Sequence, residues 1–264
     1  MLDQPVSLEH ALDETERAAD SALKAAEKVV GNLRQLKHAA QQGEVRKLHG
    51  SNDALRQSFE TLEQEVANAA DSWQFDEEGY LRGGAYAQEL LQQATAQGVQ
   101  MVEQDDRLYC YPMLITVDPG RRAVSIDRRP ERRLRPSVLV NLLRERQKRP
   151  PRFKPADFLE SLYAAYTAAR KQIGRDEGAV ITLLDIYTLL TMLPDQRKEY
   201  ARPEFTRDVH LLDISGVNTT RNGVTVSFDA STGTKSGRGV LATVTENGTE
   251  KRYYGISFSK SQGD

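Results

Sequence analysis

Residues 45–73 read VRKLHGSNDALRQSFETLEQEVANAADSW, and their spacing decides the fold of the N-terminal third. Val45, Leu48, Asn52, Leu55, Phe59, Leu62, Val66, Ala69 and Trp73 follow one another in steps of three and four, the heptad pattern of a helix that lays one stripe on a partner helix. The expected partner-helix seam is therefore Val45, Leu48, Leu55, Phe59, Leu62, Val66 and Trp73. Upstream, Leu12, Ala19, Ala26, Leu33 and Ala40 recur every seven residues, joined by Leu23 and Val30. Ser7 after Pro5 is an N-cap with Glu9 in the first turn, and Gln42-Gly43 offers a glycine C-cap. The simplest arrangement folds the second helix back on the first as a hairpin or coiled coil. The same stripes also serve an ordinary bundle or pairing between chains. Gly50-Ser51-Asn52-Asp53 joins a helix-ending glycine to helix-starting residues, which places the start of the second helix at Ser51 and makes Asn52 a helix-start residue.

Beyond Asp76-Glu77-Glu78-Gly79 the pattern shortens. A helix over 85–96 ends before Gly98, and three strands follow over 99–103, 108–116 and 123–127, with turns at Asp105-Asp106 and at Asp118-Pro119-Gly120-Arg121, the latter a type II signature. Pro112 marks an edge or bulge in the middle strand. Helix followed by three antiparallel strands is compatible with a winged-helix module. Helices are then expected over 138–147, stopped by Pro150-Pro151, over 155–173 with Pro155 in the first turn, and over 182–192, apolar nearly all round and so buried, ended by Pro194. The tail reads as strands over 223–229, 240–246 and 251–258, with Asn247-Gly248 as a hairpin turn.

The fold class is therefore α+β: an N-terminal helical hairpin or coiled coil (1–78), a small α/β unit (79–154), a helical core (155–215) and a C-terminal antiparallel β meander (216–264). The length of 264 residues is ample for a sizeable core. The net charge of −2 excludes a strongly basic or acidic protein, yet it hides two opposed blocks. Residues 1–106 hold 20 acidic and 9 basic side chains, whereas 120–154 hold 13 basic and 3 acidic ones.

The basic block is Arg121, Arg122, Arg128, Arg129, Arg132, Arg133, Arg135, Arg144, Arg146, Lys148, Arg149, Arg152 and Lys154. Arginine presents a planar fork of donors that matches phosphate and carboxylate. Arg144 and Lys148 share one helix face, away from Leu139, Leu142 and Leu143, and Tyr109 and Tyr111 share a strand face on which a base could stack. Contact with a nucleic-acid backbone, docking on an acidic protein surface and neutralisation by the acidic N-terminal third are the three uses open to such a block.

Other chemistry is poorly supported. Gly233-Thr234-Lys235-Ser236 lacks the spacing and the strand-to-helix setting of a phosphate loop, so 231–239 reads as a flexible hairpin loop whose Lys235 and Arg238 could touch an anion. His10, His38 and His49 have no ligand spacing, and His210, beside Asp208 and Asp213, reads as a surface histidine. Cys110 on a strand is a small buried residue, and one cysteine forms no intramolecular disulfide. Asp118 and Asp127 around a hairpin, with Arg129 nearby, faintly echo a metal-dependent nuclease. No catalytic residue, metal site or cofactor is assigned.

The start MLDQPVSLEH has no signal-peptide pattern, and the apolar run 179–193 is broken by Asp185 and too short to span a membrane. A cytoplasmic, membrane-free chain is the expectation. It would be a non-catalytic subunit of a nucleoprotein assembly, oligomerising with itself or a protein partner through its N-terminal helices and touching DNA or RNA backbone through 121–154. The alternatives are an adaptor docking an acidic protein and, last, a metal-dependent nuclease.

Overall fold

The computed structural model describes residues 7–104, 107–148, 153–193, 195–228 and 239–260, and the fold is α+β. Helix α1 (Leu8–Gln42) starts where the Ser7 hydroxyl accepts from the His10 amide at 3.1 Å and ends where Gly43, at φ 68°, donates to the carbonyls of Ala39 and Ala40. That positive φ is open to glycine at little cost. The chain reverses there into α2 (Val45–Asp71), which packs antiparallel on α1. Contrary to the expected start at Ser51, α2 begins at Val45 and runs through Gly50 without a break. One interior glycine costs about 1 kcal/mol, less than giving up the turn that seats Leu48 on α1.

The stripes that face each other differ from the expected seam by half. Along α1 the buried and half-buried positions include Leu8, Ala11, Ala22, Ala25, Val29, Asn32, Leu36 and Ala39; along α2 they include Leu48, Leu55, Ser58, Leu62 and Ala69. Asn32 fixes the register: its Nδ2 donates to the Ala54 carbonyl at 3.1 Å and to the Ser58 hydroxyl at 3.0 Å, and Ser58 donates to the Leu55 carbonyl at 2.9 Å. Asn52, by contrast, lies exposed within α2.

A short helix α3 (Glu77–Arg82), capped by the Asp76 side chain, precedes α4 (Ala85–Ala96). The three expected strands are five, in the order β1 (Val102–Gln104), β2 (Arg107–Cys110), β3 (Met113–Asp118), β4 (Ala123–Ile126) and β5 (Arg129–Glu131). The single strand expected over 108–116 is a hairpin that turns at a cis Tyr111–Pro112 bond. The expected type II turn is a 3-10 turn over Pro119–Arg121, in which the Asp118 carboxylate accepts from the Arg121 amide at 3.1 Å. Between β4 and β5, Asp127 and Arg128 have φ of 48° and 66°, the two positive values that a two-residue type I′ hairpin requires. The turn at Asp105-Asp106 lies outside the described residues, as do Pro150-Pro151, Pro194 and the glycine-rich loop up to Gly237 with Lys235 and Arg238. A meander of five strands takes the place of the three-stranded wing arrangement.

Helix α5 (Pro136–Gln147) follows, then α6 (Pro155–Gln172), the short strand β6 (Ile181–Thr182) and α7 (Leu183–Leu190), capped by the Thr182 hydroxyl. Helices α8 (Gln196–Glu199) and α9 (Arg202–Ile214) complete the helical part. The C-terminal strands are not one meander. β7 (Val224–Ser227) and β10 (Gly255–Lys260) pair with each other and, through β10, with β6, while β8 (Leu241–Val244) and β9 (Glu250–Tyr253) form a separate hairpin turning at Asn247-Gly248. The expected strand 251–258 is split at Tyr254, whose carbonyl accepts from the Leu183 amide at 2.9 Å.

Two compact units divide the chain. One comprises residues 1–93, 117–124 and 130–142; the other comprises 94–116, 125–129 and 143–264. Tyr86 and Leu90 are fully buried in the first, and Leu162, Tyr166, Leu183, Ile186, Phe205, Ile256 and Phe258 lie in the core of the second. Among the described residues no helix is long and apolar enough to cross a membrane.

Candidate functional site

In the first unit carboxylates tie down the foot of the hairpin. Glu89 of α4 accepts from the amides of Leu8 and Glu9, both at 3.0 Å, and from the Tyr80 hydroxyl at 2.8 Å. Glu9 in turn caps α5, accepting from the Ser137 amide and hydroxyl, each at 2.8 Å, where the helix dipole favours an anion. Arg135 donates to Glu9 at 2.7 Å and also pairs with Asp13 and Glu16. Burial by itself would raise the Glu9 carboxyl, but the hydrogen bonds from Arg135 and Ser137 hold it below its usual value.

Above this foot lies a groove of about 670 Å³. Its floor is apolar, built from Leu8, Leu12 and Ala19 of α1 with Trp73, Leu134 and Val138; its rim carries Arg122, Arg132, Arg133 and Arg135 beside Glu16 and Glu77. Leu12 and Ala19 belong to the α1 stripe and Trp73 to the α2 stripe that the hairpin seam leaves outside. In an antiparallel helix pair the same flank of each heptad falls on the same side, so the two stripes continue up one side of the hairpin. Leu23 (62%), Val30 and Leu33 on α1 and Phe59 (58%), Val66 (51%) and Trp73 on the α2 side are exposed there. Of the expected seam, Leu48, Leu55 and Leu62 pack towards α1, while Val45, Phe59, Val66 and Trp73 stay on the surface.

The described cations of the basic segment divide between the two units. Arg121, Arg122, Arg132, Arg133 and Arg135 belong to the first unit; Arg128, Arg129, Arg144, Arg146, Lys148 and Lys154 belong to the second; Arg149 and Arg152 lie outside the described residues. In the first unit Arg122 pairs with Glu77 at 3.2 Å, Arg133 with Glu131 at 2.8 Å and Arg121 with Asp118 at 3.6 Å. In the second, Arg128 bonds the Glu204 carboxylate at 3.1 Å and donates to the Glu199 carbonyl, Lys148 pairs with Glu145 at 2.5 Å, and Lys154 lies 3.9 Å from Asp157. Arg144 and Arg146 occupy the last turn of α5. Neutralisation thus comes from acids all along the chain, and α1 holds Arg135.

The strand face of Tyr109 and Tyr111, on which a base could stack only if it were open, is covered. Tyr109 is buried with Leu114 and Val244, and Tyr111 is half-buried with its ring edge-on to His210 at 6.0 Å. His210, expected on the surface, is buried. Tyr253 spends its only proton on Asp213 at 2.7 Å, so the His210 Nδ1–H donates to the Tyr253 oxygen at 2.9 Å. Burial pushes the His210 pKa down, Asp213 opposes this and Lys251 reinforces it, which keeps the ring neutral.

The residues considered for chemistry have structural employment. Asp127 accepts from the Leu114 amide at 3.1 Å and from Arg207 at 2.5 Å, and Asp118 caps its turn. Burial pushes the Cys110 thiol up to about 12. His10 pairs with Glu14 at the surface. Among the described residues no group of three His, Cys, Asp or Glu side chains could hold a metal ion. A second hollow of about 400 Å³, in the second unit, has Tyr163, Tyr166 and Phe258 beside Arg170, Lys171 and Lys260.

No family model, curated protein or solved structure matches this chain, so its reading rests on the geometry above.

Proposed function

We propose that this chain is a non-catalytic docking subunit of an intracellular protein assembly, engaging its partner through the apolar side of the N-terminal hairpin and the arginine-rimmed groove at its foot. One observation carries the reading: Leu23, Val30, Leu33, Phe59, Val66 and Trp73 are exposed together along one side of two packed helices. Contiguous apolar patches with a polar rim mark interaction sites. A helix with an apolar face fits this surface, and acidic side chains at its edge would meet the groove arginines. The buried, unpaired thiol of Cys110 accords with a reducing cytoplasm.

Native mass spectrometry of the purified full chain tests this. A stoichiometric protein complex is expected, one that survives nuclease and dissociates when Phe59→Glu and Val66→Glu are introduced. A free chain throughout, at concentrations of tens of micromolar, would overturn the proposal.

Contact with nucleic acid is the second reading, favoured by Arg129 and Arg132, which are exposed and have no carboxylate partner among the described residues. The pairs made by Arg121, Arg122 and Lys148 are also exposed, and such pairs yield readily to a competing phosphate. If about five cations engage, log affinity should fall against log salt with a slope of roughly −4 to −5. Absence of DNA and RNA binding at low salt removes this reading.

A further inference from the structure

Building on the docking role proposed for the hairpin face, we infer that its occupant is a second copy of this chain, laid face to face and antiparallel, so that two hairpins close a four-helix bundle. The phase of the two helices gives α1 and α2 an apolar surface beyond the hairpin seam. Each carries two overlapping heptad stripes: an inner one, small on α1 (Ala11, Ala22, Ala25, Ala39), used within the hairpin, and an outer one of larger side chains left on the surface (Leu23, Val30, Leu33, Phe59, Val66). A helix apolar over two adjacent stripes is built to be covered on both.

Charge then selects the partner. On α1 the residues flanking the exposed stripe towards its foot are Asp13, Glu16, Asp20 and Glu27, and those towards the Gly43 turn are Arg34 and Lys37. On α2 the sign changes at the same height: Arg46 and Arg56, with one acid, Asp53, between them, lie towards the turn, whereas Glu60 and Glu63 lie towards the foot. The Asn32–Ser58 contact shows that Val30 and Phe59 stand side by side near the point of reversal. A two-fold axis through that point, perpendicular to the helices, brings α1 against α1 and α2 against α2 of the other copy. Val30 then meets Val30, Phe59 meets Phe59, Arg34 faces Glu27, and Arg56 faces Glu63. A closed isologous pair has this self-complementarity. A parallel arrangement would stack like charges instead.

The area suffices. With the axis at Val30 the two copies of α1 overlap over residues 18–42, roughly 36 Å at 1.5 Å per residue, and two helix widths of about 10 Å each give on the order of 700 Å² per copy. Two copies would bury about 1,400 Å², within the range of stable specific interfaces.

Sedimentation equilibrium of the full chain, with circular dichroism to verify folding, provides the test. The wild type should be a dimer. Phe59→Glu should weaken it at least about 100-fold, as expected of a central aromatic anchor. Arg56→Glu should weaken it about 10-fold, and Arg56→Glu combined with Glu63→Arg should restore it, since two such pairs form per dimer. For orientation, Val30→Cys should form a disulfide with itself, and Ala19→Cys should cross-link to Ala40→Cys rather than to itself. A folded monomer, a dimer indifferent to Phe59→Glu, or self-linking of Ala19→Cys overturns the inference. A monomer that binds a different protein through this face overturns the second copy and leaves the docking role standing.

Discussion

Arg135 is held in place by a cluster of carboxylates, Glu9, Asp13 and Glu16, and what it stabilises depends on pH. The Glu9 carboxyl is held below its usual value of 4.5 by Arg135 and Ser137. Stability from this contact is therefore complete above the unfolded carboxyl value and is lost as pH falls through the lowered folded value. Arg135→Ala should cost about 1–3 kcal/mol at neutral pH, the range for losing a charge-assisted hydrogen bond, and the gap from wild type should close under acid; urea midpoints at pH 7 and pH 3 check both, the two values being chosen to bracket carboxyl titration. His210 acts in the same direction at higher pH. Its ring is neutral and its pKa lies below the usual 6.5, so the unfolded chain binds more protons and stability should decline as pH drops below 6.5. Tyr253→Phe, which strands the His210 Nδ1–H and Asp213, should destabilise by about 1–3 kcal/mol and leave the secondary structure intact by circular dichroism. Neither contact was visible in the sequence: Glu9 and Arg135 are 126 positions apart and His210 and Tyr253 are 43 apart.

At the scale of elements, two glycines respond in opposite ways. Gly50 lies within α2, has no positive φ, and a methyl group there would meet nothing within 4 Å. Gly50→Ala should thus stabilise the protein by about 0.5–1 kcal/mol; a loss in melting temperature would mean that the helix breaks there. Gly255 sits where β10 approaches β6, and an added Cβ would lie 2.7 Å from the Ile181 carbonyl oxygen. Gly255→Ala should cost about 1–3 kcal/mol, read as a lower denaturation midpoint. Helices with strong punctuation were legible in the sequence, namely α1 between Ser7 and Gly43, α4 before Gly98 and α6 after Pro155. The β4–β5 turn was not, because Asp127 and Arg128 adopt left-handed angles without a glycine. At Gly50 local propensity pointed to a break, and packing of the flanking turns on α1 prevailed.

For the whole molecule, charge and periodicity carried different kinds of information. Counting along the chain located the acidic third and the arginine segment, and it identified two amphipathic helices joined at Gly43. These follow from residue type and spacing alone, since a heptad repeat gives a helix an apolar side whatever that side touches. Periodicity leaves the phase open when two stripes overlap. Only the antiparallel packing, with Asn32 bonded to Ala54 and Ser58, set Ala25, Val29 and Ala39 against Leu48, Leu55 and Leu62 on the inside and left Leu23, Val30, Phe59 and Val66 on the surface. Likewise the sequence set how many cations lie between 121 and 154, but folding chose their carboxylates, Glu9 for Arg135, Glu77 for Arg122 and Glu204 for Arg128. An ion pair depends on distance in space, and the partners of these arginines lie 45 to 126 positions away along the chain.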